Sequence, residues 1–204
     1  MIILSHRGFW RFPGEKNAHE AFVRTVDYRF GTETDVRDHL GDLVVSHDPP
    51  GAAPMPWRDV VDLFSGTGLP LAVNIKADGL SGAVKDAFAG ADIDWFAFDM
   101  SGPETVRYAA AGLPFFTRHS DVEPFPILYE QAAGVWLDSF GPCWFGPEDI
   151  RSHLRRGKRV CVVSPELHGR PHHEQWEMLR SLGDDATPLM LCTDIPDQGR
   201  AYFA

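Results

Sequence analysis

The 204-residue chain is 44% hydrophobic and 12% aromatic, which is enough apolar material for one sizeable globular core. Lys and Arg total 19 against 29 Asp and Glu, so the formal net charge is −10. This acidic balance argues against nucleic acid as a partner and against docking on anionic lipid, because both carry dense negative charge. No apolar run approaches the roughly 20 residues that a membrane-spanning helix needs, so we expect no membrane insertion.

The cysteines and the first residues bear on the location of the protein. Cys143, Cys161 and Cys192 are odd in number and form no Cys-x-x-Cys pair, which argues against a disulfide framework or a zinc knuckle. Met1 leads directly into an apolar run and then His6, without the basic segment of a secretory signal. We therefore expect a cytoplasmic protein, and the sequence predicts no particular oligomeric state.

Short apolar runs alternate with amphipathic segments along the chain. Eight of these runs have the length and composition of buried strands, at residues 2–5, 32–36, 71–75, 95–98, 114–117, 134–137, 160–163 and 189–192. Segments with helical periodicity lie between them, bounded by Gly or Pro, for example at 57–64, 103–111, 147–156 and 173–182.

This alternation predicts an α/β fold, a compact closed (β/α)₈ TIM barrel rather than an open doubly wound sheet, and we expect one domain over residues 1–204. An additional strand-like run at 43–46 follows the second predicted strand after a short polar turn. It either pairs with that strand as a hairpin or extends the mouth of the barrel.

Polar residues end several predicted strands, and the carboxyl ends of barrel strands gather at one face. Glu33 and Asp35 are two apart on a strand, so both side chains leave the same side. Two adjacent carboxylates favour a hard divalent cation such as Mg²⁺ or Ca²⁺. The alternative is an exposed strand, or a pair neutralised by Arg37.

His6 and His47 also follow strand-like runs, and imidazole titrates near neutral pH. One neutral and one protonated ring can act as base and acid, although a lone histidine is more often an ordinary packing residue. Arg7 and Lys76 would add positive charge for an anionic oxygen. Acid, base, cation and metal together are the groups that phosphoryl transfer requires.

The spacing of these residues resembles the signature of the glycerophosphodiester phosphodiesterase family, within the PI-PLC-like phosphodiesterase superfamily. The matching blocks, in order, are Ser5-His6-Arg7-Gly8, Asn17 with Ala21-Phe22, Gly31 to Arg37, Val44 to Asp48, Asn74-Ile75-Lys76 and Thr193-Asp194-Ile195-Pro196. The resemblance is dense over residues 2–48 and sparse afterwards. It implies the TIM-barrel fold and a metal-dependent phosphodiester hydrolase.

The resemblance also implies roles for individual residues: His6 and His47 as catalytic acid and base, Arg7 and Lys76 at the phosphate, and Glu33, Asp35 and Asn74 as metal ligands. The expected substrate is a glycerophosphodiester or a related small phosphodiester, with Mg²⁺ favoured over Ca²⁺. A substrate hydroxyl next to the phosphate would attack phosphorus to give a cyclic phosphodiester, which water then opens.

Three departures from the family pattern stand out. Asn74 replaces the third metal carboxylate, which removes one negative charge and should weaken or retune metal binding. Lys16 occupies the position of a common Glu, and brings a positive charge near the site or onto its rim. Only 26 residues, 48 to 73, separate His47 from Asn74, which leaves no room for the insertion that many members carry after the second histidine.

The sequence gives less information about substrate specificity. Trp136, Asp138 and Glu166, with His168, could line a pocket for a polar alcohol such as glycerol or a sugar. The alternative is that Trp136 packs in the barrel and Glu166 is a solvated loop residue, and we assign Asp194 to loop architecture. Two other functions stay open: a lyase-type phosphodiesterase that stops at the cyclic phosphate, and a non-catalytic binder of phosphorylated ligands.

Overall fold

The computed structural model describes residues 1–183 and 189–204. In these ranges the strands are β1 (Ile2–His6), β2 (Gly31–His39), β3 (Asp42–Val45), β4 (Met55–Pro56), β5 (Leu71–Ile75), β6 (Trp95–Phe98), β7 (Phe116–His119), β8 (Gly134–Leu137), β9 (Arg159–Val163) and β10 (Leu189–Thr193). The α-helices are α1 (His19–Asp27), α2 (Trp57–Phe64), α3 (Ser81–Ala87), α4 (Gly102–Ala110), α5 (Pro147–Arg155), α6 (His173–Arg180) and α7 (Pro196–Phe203).

Eight parallel strands form the central sheet. Their order is β6-β5-β2-β1-β10-β9-β8-β7, and each neighbouring pair is parallel. The outer edges of β6 and β7 meet at a bridge between Ala97 and Phe115, supported by a hydrogen bond from Ala97 N to Pro114 O at 2.9 Å. The prediction of an α/β, TIM-barrel-like fold is confirmed.

The additional strand-like run forms a hairpin with an extension of β2. β2 continues to His39 and pairs antiparallel with β3, which in turn pairs with β4. Leu40 and Gly41 connect the strands with φ values of 52° and 94°, the positive values of a tight two-residue hairpin turn. The hairpin places His47 just beyond β3, beside the barrel mouth.

The helical predictions agree with the structure to within two residues at each end. Local chemistry fixes the helix starts: Ser101 Oγ accepts a hydrogen bond from Glu104 N at α4, and Pro147 occupies the first turn of α5. The predicted strand at 114–117 is shifted, because β7 runs from Phe116 to His119. Residues 120–133, between β7 and β8, contain no helix.

Side chains alternate between the inside and the outside of the ring. The buried interior cluster takes one residue in two from the strands, and consists of Leu4, Ala72, Phe96, Phe98, Phe116, Trp136, Cys161, Val163, Met190 and Cys192. Outward residues such as Ile3 and Val73 pack instead in the clusters beneath the helices. Because the period is two, the next inward positions toward the carboxyl ends include His6, Asn74, Arg118 and Asp138.

Candidate active site

A cavity of about 240 Å³ lies at the carboxyl ends of the strands. Its lining includes eight of the ten predicted site residues, namely His6, Arg7, Glu33, His47, Asn74, Lys76, Trp136 and Asp138. Asp35 lies beneath the lining and is fully buried, and Glu166 is outside it. The structure therefore gathers most of the predicted set from segments that are far apart in sequence.

Asp35 has polar partners at both of its carboxylate oxygens. Its Oδ2 lies 3.0 Å from Arg7 Nε and accepts a hydrogen bond from Asn17 Nδ2 at 2.8 Å. Its Oδ1 lies 3.3 Å from Lys76 Nζ. Arg37, the alternative partner considered from sequence, instead donates to the backbone oxygen of His47 at 3.2 Å. Two cations and an amide thus hold this buried charge.

Glu33 has a weaker set of partners. Asn74 Nδ2 donates to its Oε1 at 3.2 Å, and His6 Nε2 lies 3.8 Å from its Oε2. Burial, with a further contribution from the charge of Asp35, raises the pKa of Glu33 from 4.5 to about 7. This carboxylate is therefore poised to take up either a proton or a cation near neutral pH.

The raised pKa of Glu33 predicts how stability depends on pH. A folded-state pKa above the unfolded value means that the folded protein holds an extra proton, so this contribution to stability is complete below pH 4.5 and is lost as the pH rises through about 7. In EDTA, Glu33→Gln should therefore gain stability relative to wild type between pH 5 and pH 8, by up to about 3 kcal/mol.

Thermal unfolding of both proteins at several pH values measures this difference. Glu20→Gln, which changes an exposed glutamate on α1, should show none of it. A stability difference between Glu33→Gln and wild type that stays constant from pH 5 to pH 8 would contradict the assignment.

Asp194 contacts His6 directly, a contact that the sequence did not reveal. His6 Nδ1 lies 2.6 Å from Asp194 Oδ1, and Lys16 Nζ lies 3.2 Å from Asp194 Oδ2. Burial tends to raise the pKa of Asp194, but the bonds from His6 and Lys16 outweigh it and leave the pKa below the usual value. An ionised carboxylate can only accept, so Nδ1 of His6 carries the hydrogen in this contact, and Nε2 is the nitrogen on the side of Glu33.

His47 reaches the same cavity from the β2–β3 hairpin rather than from a barrel strand. It follows β3, and its side chain is 43% exposed. Its Nδ1 lies 3.0 Å from Asp48 Oδ1. His6 is more enclosed, with a side chain only 15% exposed. The two imidazoles therefore differ in their exposure to solvent.

The loop after β1 has an unusual backbone that positions Arg7 and Asn17. Both have positive φ values, 58° and 60°, which side-chain-bearing residues rarely adopt. Asn17 N donates to Arg7 O at 2.9 Å, and Arg7 N donates to Glu33 O at the same distance. Gly8 lies between them, where an added Cβ would sit 2.8 Å from the Cβ of Ala21. The backbone of this loop therefore requires glycine at position 8, and it brings Arg7 and Asn17 together at Asp35.

The opposite wall of the cavity combines aromatic and polar groups. Trp136 stacks on Phe98 with ring centroids 3.8 Å apart, and both are buried. Asp138 Oδ1 lies 2.8 Å from His168 Nε2. Arg118, which the sequence analysis did not single out, forms an ion pair with Asp99. The alternation along β7 could have indicated Arg118, because it lies two residues after the inward-facing Phe116.

Glu166 lies behind the cavity wall. Its carboxylate accepts hydrogen bonds from the hydroxyls of Ser164 and Thr193 and from the backbone N of Asp194, the last at 3.2 Å. These bonds hold the end of β10, and with it the carboxylate that contacts His6. The position of Glu166 suits support of the site better than contact with substrate.

The oxygen atoms that could hold a cation come from two adjacent strands. Asp35 on β2 is in register with Asn74 on β5, and Glu33 lies two residues earlier on β2. Asn74 Oδ1 is buried and receives no hydrogen bond, whereas Asp35 Oδ1 faces Lys76 Nζ at 3.3 Å. No cluster of three or more His, Cys, Asp or Glu in residues 1–183 and 189–204 is arranged for a metal, so the amide oxygen of Asn74 would have to complete such a site.

Comparison with known proteins identifies the fold. No protein-family profile matches the sequence, and no curated protein matches it. No helix in the described part of the chain is long and apolar enough to cross a membrane. Among solved structures, the chain is similar to a Ca²⁺-dependent phosphatidylinositol-specific phospholipase C from Streptomyces antibioticus, with a TM-score of 0.55 and 10% sequence identity over 100% of this chain and 95% of that one. The chain is thus similar in fold to this enzyme, which agrees with the TIM-barrel-like arrangement of its strands and helices.

Proposed function

We propose that the protein is a phosphodiesterase that acts on glycerophosphodiesters or a related small phosphodiester, with His6 and His47 as base and acid. The observation that carries this proposal is the convergence of His6, His47, Arg7, Lys76 and Glu33 on one cavity of about 240 Å³, with the buried Asp35 beneath its lining. The likeness of the fold to a phospholipase C supports the same class of reaction.

The proposed first step is attack by a substrate hydroxyl next to the phosphate. His6 Nε2 takes the hydroxyl proton while the oxygen forms a bond to phosphorus. The bond between phosphorus and the leaving alcohol breaks, and His47 supplies the proton that this alcohol needs. Arg7 and Lys76 place positive charge beside the phosphate oxygens. The product is a cyclic phosphodiester and a free alcohol.

Water can open the cyclic product with the roles reversed: protonated His6 returns its proton to the departing oxygen, and His47 takes a proton from water. An enzyme that completes this step is a hydrolase, and one that releases the cyclic product is a lyase. Phosphorus NMR of the products, followed over time with glycerophosphocholine, separates the two. We favour the hydrolase, and place the substrate alcohol against Trp136, Asp138 and His168.

A divalent cation is part of the proposal. Glu33, Asp35 and Asn74 offer oxygen ligands, which suit a hard ion, and the buried Oδ1 of Asn74 lacks a hydrogen bond. Such an ion would supply positive charge that stabilises the developing charge on the phosphate. The sequence favours Mg²⁺, whereas the fold neighbour is Ca²⁺-dependent. With Asn74 in place of a carboxylate, we expect weaker binding than a site with three carboxylates would show.

The test compares wild type with Asn74→Glu on two substrates, in Mg²⁺, Ca²⁺, Mn²⁺ or EDTA. Glycerophosphocholine has a hydroxyl next to the phosphate, whereas bis(p-nitrophenyl) phosphate has none. We expect metal-dependent turnover of glycerophosphocholine by wild type, and turnover at lower metal concentration by Asn74→Glu. The shift of the unfolding temperature with added metal reports binding independently of activity.

The second candidate is a non-catalytic binder of phosphorylated ligands. Two observations favour it. Asp35, one of the proposed metal ligands, is already neutralised by its ion pairs with Lys76 and Arg7. Lys16 also brings a positive charge near His6, because both residues contact Asp194. It predicts binding of glycerophosphocholine without turnover in any of these metals. Absence of turnover by wild type, together with turnover by Asn74→Glu, would support this second candidate.

A further inference from the structure

A second cavity lies at the amino ends of the barrel strands, on the face opposite the candidate active site; we call it the basal cavity. Its volume is about 300 Å³, and its lining includes Ile2 and Ile3 of β1, Phe30 before β2, and Leu69 and Pro70 before β5. Phe30 and Leu69 are buried, whereas Ile2 is 38% exposed. The basal cavity therefore has an apolar lining that the described chain covers only in part.

Two exposed arginines, Arg29 and Arg200, also line the basal cavity. Arg29 donates a hydrogen bond to Thr67 O at 3.1 Å. Arg200 donates to Tyr28 O at 2.5 Å, and its Cζ lies 4.3 Å from the ring centroid of Phe30. Within residues 1–183 and 189–204, neither guanidinium forms an ion pair. Because a guanidinium carries five N–H donors, each arginine keeps donors for a ligand.

The backbone of Arg29 is in an unfavourable conformation for a residue with a side chain. Arg29 follows Tyr28, the C-cap of α1, and its φ is 58°. Glycine is the usual residue at this position after a helix, because it adopts positive φ without a steric penalty. Backbone preference therefore does not explain an arginine here, and a backbone outlier of this kind often marks a functional side chain.

The two arginines come from different elements, so one local cause does not explain both. Arg200 lies in the last turn of α7, where the helix dipole favours a positive charge. Arg29 follows the end of α1. In a chain of net charge −10, two cations without a carboxylate partner beside one apolar cavity are complementary to an anion with an apolar body.

We propose that the basal cavity binds a small amphipathic carboxylate, with its head group at Arg29 and Arg200 and its tail against Ile2, Phe30 and Leu69. The planar fork of arginine matches the two oxygens of a carboxylate. A volume of about 300 Å³ is at the lower end for small-molecule sites, which favours a short tail. Free phosphate would leave the apolar lining unused, and a neutral apolar molecule would leave the guanidinium groups unused. This site does not depend on the proposed function.

Calorimetric titration with octanoate, below the concentration at which it forms micelles, tests the site without any turnover. Wild type should bind one octanoate per chain, and octanol should bind at least about tenfold more weakly, because it lacks the charge that the arginines pair with. Inorganic phosphate should show no measurable binding. Arg29→Gly and Arg200→Gln should each weaken octanoate binding about tenfold. Arg58→Gln, which changes an exposed arginine on α2, should leave it unchanged.

Arg29→Gly separates binding from folding. Glycine suits a φ of 58°, so this variant should unfold close to the wild-type temperature while it loses affinity for octanoate. His47→Ala, in the candidate active site, should bind octanoate as wild type does.

Four outcomes would overturn the proposal. Octanoate does not bind to wild type, or octanol binds equally well. Arg29→Gly binds octanoate as tightly as wild type. His47→Ala loses binding, which would place octanoate in the other cavity. Sedimentation shows a wild-type dimer that Arg29→Gly dissociates, which would mean that a second copy of the chain covers the basal cavity. Because none of these measurements involves turnover, failure of the proposed catalysis would leave the result unchanged.

Discussion

Replacing His6 with alanine should lower kcat for glycerophosphocholine by about 10²- to 10⁴-fold, because general acid–base catalysis by a positioned group contributes about this much. His47→Ala should cause a loss of similar size. Both variants should unfold at close to the wild-type temperature, since His47 is partly exposed and His6 contributes no large apolar contact to the barrel interior. Steady-state kinetics with thermal unfolding of each variant measures both effects.

A substrate with a good leaving group distinguishes the two roles. The p-nitrophenyl ester of glycerol phosphate retains the attacking hydroxyl but releases p-nitrophenolate, which needs no proton. His47→Ala should regain most of its activity on this substrate, whereas His6→Ala should stay inactive because the base is missing. His19→Ala, an exposed histidine on α1, serves as the control. Full activity of both His6→Ala and His47→Ala on glycerophosphocholine would rule out the proposed chemistry.

Asp194→Asn should lower kcat on the order of a hundredfold or more with little change in KM, as expected when a carboxylate that orients a catalytic imidazole is neutralised. In the proposed mechanism, the wild-type carboxylate keeps the hydrogen on His6 Nδ1 and stabilises the imidazolium that forms when Nε2 takes a proton. The amide of the variant supplies neither the charge nor a single tautomer.

Asp197→Asn is the matched control, because Asp197 is an exposed aspartate three residues away on α7. It should leave both kcat and KM unchanged. If the fall in kcat of Asp194→Asn equalled its loss of folded protein, measured by circular dichroism and thermal unfolding, the residue would be structural and the contact with His6 would have no catalytic role.

Strand periodicity was enough to predict one local motif, because Glu33 and Asp35 share a face through the two-residue repeat of β2. The expectation that Asn74 completes their site came from the family resemblance, and Asn74 is in register with Asp35 on the neighbouring strand β5. Knowledge that parallel strands end at one face was then enough to predict that His6 and Lys76 would lie near them.

The contact between His6 and Asp194 was beyond this reasoning. It joins residues 188 positions apart, and depends on the pairing of β1 with β10, which sets Ser5 opposite Thr193. Sequence periodicity shows that a residue faces inward but does not give the strand that will lie beside it. Asp194 was therefore assigned to loop architecture, although its inward position after β10 was already implied.

Arg118 was missed for a different reason. The predicted strand began at Pro114 and ended at Thr117, whereas β7 begins two residues later and carries Arg118 inside the strand. The predicted strand started at Pro114, the first residue of an apolar run, and was therefore placed too close to the amino end. In the structure, Pro114 lies before β7, and its backbone oxygen accepts a hydrogen bond from Ala97 N on β6. An error of two residues in a strand boundary leaves the predicted fold unchanged, but it changes which polar residues are assigned to the inward face of the strand.

The junction between β6 and β7 is held by a single β-bridge, whereas the other neighbouring barrel strands are joined by ladders of several residues. His6, Glu33, Asp35 and Asn74 lie on strands joined by such ladders, so the backbone fixes the spacing of these proposed catalytic and metal-binding groups. The junction, held by the Ala97–Phe115 bridge, lies between Phe98 and Arg118, at the wall that we assign to the substrate alcohol. Such an arrangement would let the recognition wall widen for alcohols of different size while the reacting groups keep their spacing.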